Sequence, residues 1–233
     1  MKLRFLAVTV AALTFAAGTA SAQDTSTEQG QLSYALGYDL GRNLVESGEQ
    51  INVDTVIQAL RDGYARRDPT VSVEQLRTAV ENMQQRQMAR AQEAFNQASA
   101  ENKTKSDAFL AQHRGQSGVQ ALPSGLQYRV IENGSGVTPA ADSQVQVHYK
   151  ASLPEGPTFI DTTAPRPDGE SGPVNMRLSE IPLAGLREAI GMMKAGSRWE
   201  VVLPSSLAYG DTPQSPIGPN QAVVFEVQLV SVN

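Results

Sequence analysis

The chain of 233 residues has no cysteine and only two histidines, His113 and His148. Without thiols there is no disulfide framework, no redox motif and no site for thiol lipidation. Two imidazoles argue against an intrachain zinc site. A basic excess is missing as well: 19 Lys and Arg stand against 24 Asp and Glu, a formal charge of −5. That acidic balance, without a basic stripe, argues against nucleic acid and against anionic membrane surfaces as partners. No metal and no cofactor is expected. Proline is nearly absent from the first half, where only Pro69 precedes residue 123. After the first 22 residues no apolar run approaches the 18 or so that a membrane helix needs.

What is present begins with those 22 residues. Lys2 and Arg4 form a basic start, Leu6 to Ala17 an apolar stretch, and Ala20-Ser21-Ala22 a small-residue cleavage site. The pattern reads as a secretory signal peptide, too short to span a membrane. Cleavage after Ala22 leaves 17 basic and 24 acidic side chains, a formal charge of −7. The mature protein is expected to be exported, with no transmembrane segment.

The mature chain divides by composition. Up to about residue 115 it is rich in Ala, Gln, Glu and Arg; beyond, it is rich in Val, Pro and Gly with period-2 alternation. The sequence GQSGVQALPSG (115–125) punctuates the change. Domains are therefore expected at 1–22 (signal peptide), 23–115 (helical, with a long spacer helix) and 116–233 (β-rich). Leu32, Leu36, Leu40 and Leu44 repeat at helical spacing, as do Val53, Val56, Ile57, Leu60 and Tyr64. Ser72-Val73-Glu74-Gln75 is a capping box opening a third helix. Its apolar stripe thins beyond Met83, and residues 99–107 are almost wholly polar. Such a helix cannot bury itself in one small domain. Its first turns and the two short helices are expected to pair with a second copy, most simply through an isologous interface, and its distal part to serve as a solvated spacer.

In the β-rich half, five segments alternate like half-buried strands: 126–131, 144–150, 174–178, 198–203 and 222–232. Between the third and fourth, LAGLREAIGMMKAG (183–196) has a helical apolar face at Leu186, Ile190 and Met193. Strands around one short helix predict an α+β half-barrel, a curved antiparallel sheet wrapped on that helix. WEVVLPSSLAYG (199–210), PIGPN (216–220) and the last strand bring Tyr209 and Phe225 together as aromatic walls, with Ile217 as an apolar lip. No nucleophile or metal ligand is offered there. A greasy pocket with a polar handle suits conformational chemistry better than bond breaking.

Those residues resemble the FKBP-type peptidyl-prolyl isomerase domain over about residues 120–233. LSYALGYDLGRNL (32–44), ENKTKSDAFL (101–110) and LPSGLQYRVI (122–131) resemble the macrophage-infectivity-potentiator-like branch of that family. The resemblance implies a V-shaped dimer in the periplasm, with outer-membrane or surface association open, its helices intertwined at the base and isomerase domains at the tips. It implies that Asp161, Tyr209 and Tyr149 act on the substrate as pocket carboxylate, hydrogen-bonding tyrosine and first aromatic wall. It implies further that Phe159, Met176, Leu183, Leu186, Ile217 and Phe225 bind it. Three departures accompany it. The family's adjacent Phe-Asp pair reads Phe159-Ile160-Asp161 here, and its usual V-I-P-G-W turn appears as IPLAGL (181–186), putting Leu186 in place of a tryptophan floor. The only tryptophan, Trp199, matches a strand position outside the floor.

The expected function is peptidyl-prolyl cis–trans isomerisation on unfolded or extended proline-containing polypeptides during the folding of exported proteins, joined to chaperone activity. The altered floor leaves a second reading: a non-catalytic dimeric periplasmic holdase on a degenerate scaffold.

Overall fold

Residues 25–165 and 172–233 are described by a computed structural model. The expected signal peptide and part of the 161–173 loop lie outside the described residues. Two compact units are formed, Met1–Gln87 and Met88–Asn233.

In the first unit, helix α1 (Glu28–Glu46) starts where the Thr27 side chain accepts from the Gly30 amide, and α2 (Val53–Tyr64) where Asn52 accepts from Thr55. Gly48 and Arg66, both at positive φ, turn the chain after each. The third helix, α3 (Val73–Arg114), opens on the anticipated box: the Gln75 amide donates to the Ser72 hydroxyl, and the Ser72 amide to the Gln75 side chain. An Arg86–Glu49 ion pair at 2.6 Å ties the link after α1 to α3. Neither α1 nor α2 buries a single residue. Leu32, Leu36, Leu60 and Tyr64, the stripe that made these segments legible as helices, stand exposed.

The second unit is a seven-stranded antiparallel sheet in the order β1-β2-β6-β7-β3-β4, with β5 also on β3. The strands are β1 (Val119–Ala121), β2 (Gln127–Glu132), β3 (Gln144–Ser152), β4 (Thr158–Asp161), β5 (Val174–Arg177), β6 (Arg198–Leu203) and β7 (Val223–Val232). One edge of β3 pairs along its whole length with β7. The other pairs first with β5 and then with β4. Helix α4 (Ala184–Met192) lays Leu186, Ala189 and Ile190 on this sheet, against a core that includes Val145, Val147, Val201, Leu203, Phe225 and Val227. Past α4 the chain presses hard on the 132–136 segment. Gly134 donates to the Ser197 hydroxyl and Gly136 to the Ala195 carbonyl, and a Cβ at Gly134 would lie 2.3 Å from that carbonyl oxygen.

One expectation is corrected. The distal part of α3 is no solvated spacer; it belongs to the second unit and docks on it. Asn102 donates to the Pro219 carbonyl, Ser106 to the Asn220 carbonyl, and the buried His113 places its two ring nitrogens at Gln127 (2.8 Å) and Glu200 (3.1 Å). Asn102, Ser106, Phe109 and His113 recur at intervals of four, three and four, one face of a helix. This face docks mainly through hydrogen bonds rather than apolar burial, so apolar periodicity does not reveal it.

Candidate active site

The pocket residues come from five elements and from the segment between β6 and β7. Phe225 sits on the central strand β7 with none of its surface exposed, and Leu186 on α4 is buried beside it in the same cluster. Tyr149 on β3 alternates inward with Val145 and Val147, and its ring lies 6.3 Å from that of Phe225, tilted by 53°. Met176 on β5, Leu183 at the N-cap of α4, Ile217 and Tyr209 are partly buried and packed against the cluster. Phe159 on β4 meets the Tyr209 ring edge-on at 6.3 Å.

The residue inserted between Phe159 and Asp161 is absorbed by the sheet. Asp161 pairs with Lys150 and Ile160 with Ala151, but Ser152 pairs with Thr158, leaving Phe159 as the extra residue of a β-bulge. Ile160 therefore packs on the core, while Phe159 is pushed outward, 37% exposed, and still reaches Tyr209.

Asp161 has definite partners. Its carboxylate accepts from the Thr163 amide at 2.9 Å and from the Thr163 hydroxyl at 2.6 Å, and Lys150 stands 3.4 Å away. The Thr163 hydroxyl and amide, with Lys150 behind them, hold the carboxyl below its ordinary range. Such an acid stays ionised at neutral pH and makes a poor proton donor. The arrangement is an Asx turn, which fixes the start of the loop after β4. Tyr209 behaves oppositely: burial first, and the nearby Tyr149 second, raise its hydroxyl above the ordinary phenol value. It therefore remains a donor throughout the neutral range.

Trp199 lies on β6 away from these residues, stacked on Tyr128 at 4.5 Å and 10°. His148 faces away from Tyr149 across the strand, its Nδ1 buried and without a partner among the described residues. No group of three or more His, Cys, Asp or Glu among the described residues could hold a metal ion. What these elements bring together is a cluster of apolar and aromatic side chains that includes one hydroxyl protonated at neutral pH, next to a strand end that carries one carboxylate ionised there. It can grip a ring and hydrogen-bond a carbonyl.

The half-barrel around one helix, with this aromatic pocket, defines a class. The chain belongs to the FKBP-type peptidyl-prolyl cis-trans isomerase family: residues 136–230 match the FKBP-type peptidyl-prolyl cis-trans isomerase domain, and residues 29–130 the domain amino terminal to it. Within that family it is similar to "Outer membrane protein MIP" of Legionella longbeachae, 36% identical over all of this chain and 97% of the relative. It is 30% identical to "Peptidyl-prolyl cis-trans isomerase Mip" of Coxiella burnetii, over 91% of this chain and 90% of that one. The crystal structure of FkpA from Escherichia coli superposes with a TM-score of 0.69 at 28% identity, covering 89% of this chain and 97% of the other. The chain is accordingly an enzyme, a peptidyl-prolyl cis–trans isomerase. No helix among the described residues is long and apolar enough to cross a membrane.

Proposed function

We propose that this enzyme acts in the periplasm as a homodimer, isomerising X–Pro bonds of unfolded or extended exported polypeptides and sheltering them as a chaperone. The dimer is supported by α1 and α2, which bury no residue while carrying a leucine and tyrosine stripe that only a further surface can cover. Placement in the envelope is supported by the Legionella relative, which is called an outer membrane protein.

The X–Pro bond turns slowly because twisting it sacrifices amide resonance, a barrier of about 18–20 kcal/mol. A catalyst has no bond to break. It must bind the twisted amide better than the planar one. The proline ring sits on Leu186 and Leu183 between Tyr149, Phe159 and Phe225, with Met176 and Ile217 closing the sides. Burial there removes the planar, more polar amide from water and so raises it toward the twisted form. The Tyr209 hydroxyl donates to a substrate carbonyl, and the ionised Asp161 biases the orientation of the carbonyl that rotates out of plane.

The observation that carries this reading is that Tyr149, Phe225 and the half-buried Tyr209 share one core cluster, with the Tyr149 ring against Phe225 and the Phe159 ring against Tyr209. Its test is turnover of a short X–Pro peptide by the protein cleaved after Ala22. Tyr209→Phe is expected to lower kcat/KM roughly fivefold, the equivalent of one net hydrogen bond of about 1 kcal/mol. Asp161→Ala should lower it by less, because part of what it removes is the turn with Thr163. Unchanged turnover in Tyr209→Phe would remove the hydroxyl from the mechanism.

The pH profile follows from the two shifts. Asp161 is held below the ordinary carboxylate range, so its contribution is complete above that range and fades only as pH falls through the lowered value. Tyr209 is raised above the ordinary phenol value, so the neutral donor form is complete below that value and is lost only as pH climbs through the raised one. Turnover of the peptide should therefore be flat between about pH 5.5 and 9. A bell within that window would assign a proton transfer to the site and contradict the mechanism.

A further inference from the structure

Tyr209 and Ile217 do not stand on a strand. They lie on the segment between β6 and β7, which closes on itself at a neck. The Asn220 amide donates to the Gly210 carbonyl, and the Ser205 hydroxyl donates to the Asn220 side-chain oxygen. Asn220 adopts φ of 55°, a left-handed conformation that asparagine tolerates better than most residues. Tyr209 directly precedes this neck, and Ile217 lies on the loop it closes.

The neck is gripped from outside by α3. Ser106 is buried, and its hydroxyl does two things at once: it donates to the Asn220 carbonyl at 2.9 Å and accepts from the Ala222 amide at 2.8 Å. A side chain thus stands where a neighbouring strand's backbone otherwise would. Two helical turns earlier, Ser99 accepts from the Asn220 side-chain amide at 2.8 Å and donates to Asp211 at 2.8 Å. Between them, Asn102 donates to the Pro219 carbonyl at 2.9 Å. Three polar residues on one face of a helix hold both ends of one loop, which carries Ile217 and begins two residues after Tyr209.

We infer that Ser106, Ser99 and Asn102 are positioning residues for the isomerase reaction: the connecting helix sets the loop that places Tyr209 and Ile217 against the substrate. The inference rests on the pocket reading above. A loop held at one end only would sample positions in which the rim stands away from the proline ring, and substrate binding would weaken while the protein stayed folded. Loss of a single hydroxyl that satisfies two backbone groups is the sharpest way to release it.

The test uses the full mature chain, its turnover of an X–Pro peptide followed by NMR exchange over a range of peptide concentrations. Ser106→Ala is expected to raise KM roughly threefold to tenfold with a smaller change in kcat, and Ser106→Thr, which keeps the hydroxyl, to restore most of it. Partial unfolding would instead reduce the amount of active enzyme and leave KM in place. Asn220→Gly provides a second route, since glycine keeps the positive φ while removing the links to Ser99 and Ser205. It is expected to raise KM likewise. An unchanged KM in both Ser106→Ala and Asn220→Gly overturns the proposal, whatever Tyr209→Phe does. If Tyr209→Phe is silent while Ser106→Ala raises KM, the role given to Tyr209 falls and the clamp stands on Ile217.

Discussion

Phe225→Ala is expected to lower the stability of the second unit by about 3–5 kcal/mol and to remove most of the turnover of whatever folds. The side chain has no exposed surface, and its strand runs between β6 and β3 with Val201 and Ala151 as cross-strand partners. A strand paired on both edges cannot slide inward to fill the space, so a cavity term adds to the lost burial. Urea unfolding measures the first effect and peptide turnover the second. Phe225→Leu separates them: it keeps an apolar residue in the core, at a cost of less than about 1.5 kcal/mol, but removes an aromatic wall. Loss of turnover in the leucine variant would assign Phe225 to the pocket; full turnover would leave it a core residue alone. A loss below about 1 kcal/mol in the alanine variant would mean that β7 relaxes after all, against the packing described.

A second large effect is expected at Gly134, where one methyl group is added. Its Cβ would stand 2.3 Å from the Ala195 carbonyl oxygen and 2.5 Å from the Ser197 amide nitrogen. Both are backbone atoms, so no rotamer change relieves the clash, and two stretches of main chain must separate. Gly134→Ala should cost about 3 kcal/mol, a drop of roughly 6–12 °C in the melting temperature of that unit. Gly136 nearby meets chiefly the Ala195 side-chain carbon at 2.7 Å, and Gly136→Ala should cost less. Equal melting temperatures for Gly134→Ala and the unmodified protein would show that the 132–136 segment moves freely away from the turn after α4.

Long periodic elements were legible in the sequence, and short ones were not. Leucine spacing marks α1, the capping box at Ser72 marks the start of α3, and alternation marks β2, β3, β5, β6 and β7 to within a residue or two. The strands β1 and β4 escape notice because their three or four residues show no clear apolar–polar alternation, unlike the equally short β5 with Val174 and Met176 on one face. Alternation and helical spacing point Tyr149, Leu186 and Phe225 inward, which alone makes them core; the family resemblance is what made them pocket candidates. The bonds of Asp161 were visible only as the potential of an Asx turn, since nothing in the sequence says whether Thr163 or a tyrosine will take the carboxylate. The bulge at Phe159 depends on pairing with β3, a long-range register that local spelling does not contain. The docked half of α3 was misread for a related reason. Its contact face is largely polar, and a polar stripe looks the same in sequence whether it meets water or a loop's carbonyls.

The outer edge of β3 has a consequence for an enzyme that handles unstructured chains. That edge is capped by two strands of four residues each, β5 and β4, and the second is interrupted by a bulge. The opposite edge of the sheet ends in the three-residue β1. A long, flat rim of free amides and carbonyls would invite any extended polypeptide to add itself as another strand, and from there to seed aggregation. Short and kinked rims deny the client that register. Capture is thereby steered away from main-chain pairing and toward side-chain recognition in the concavity, where a proline, lacking an amide hydrogen, is at no disadvantage.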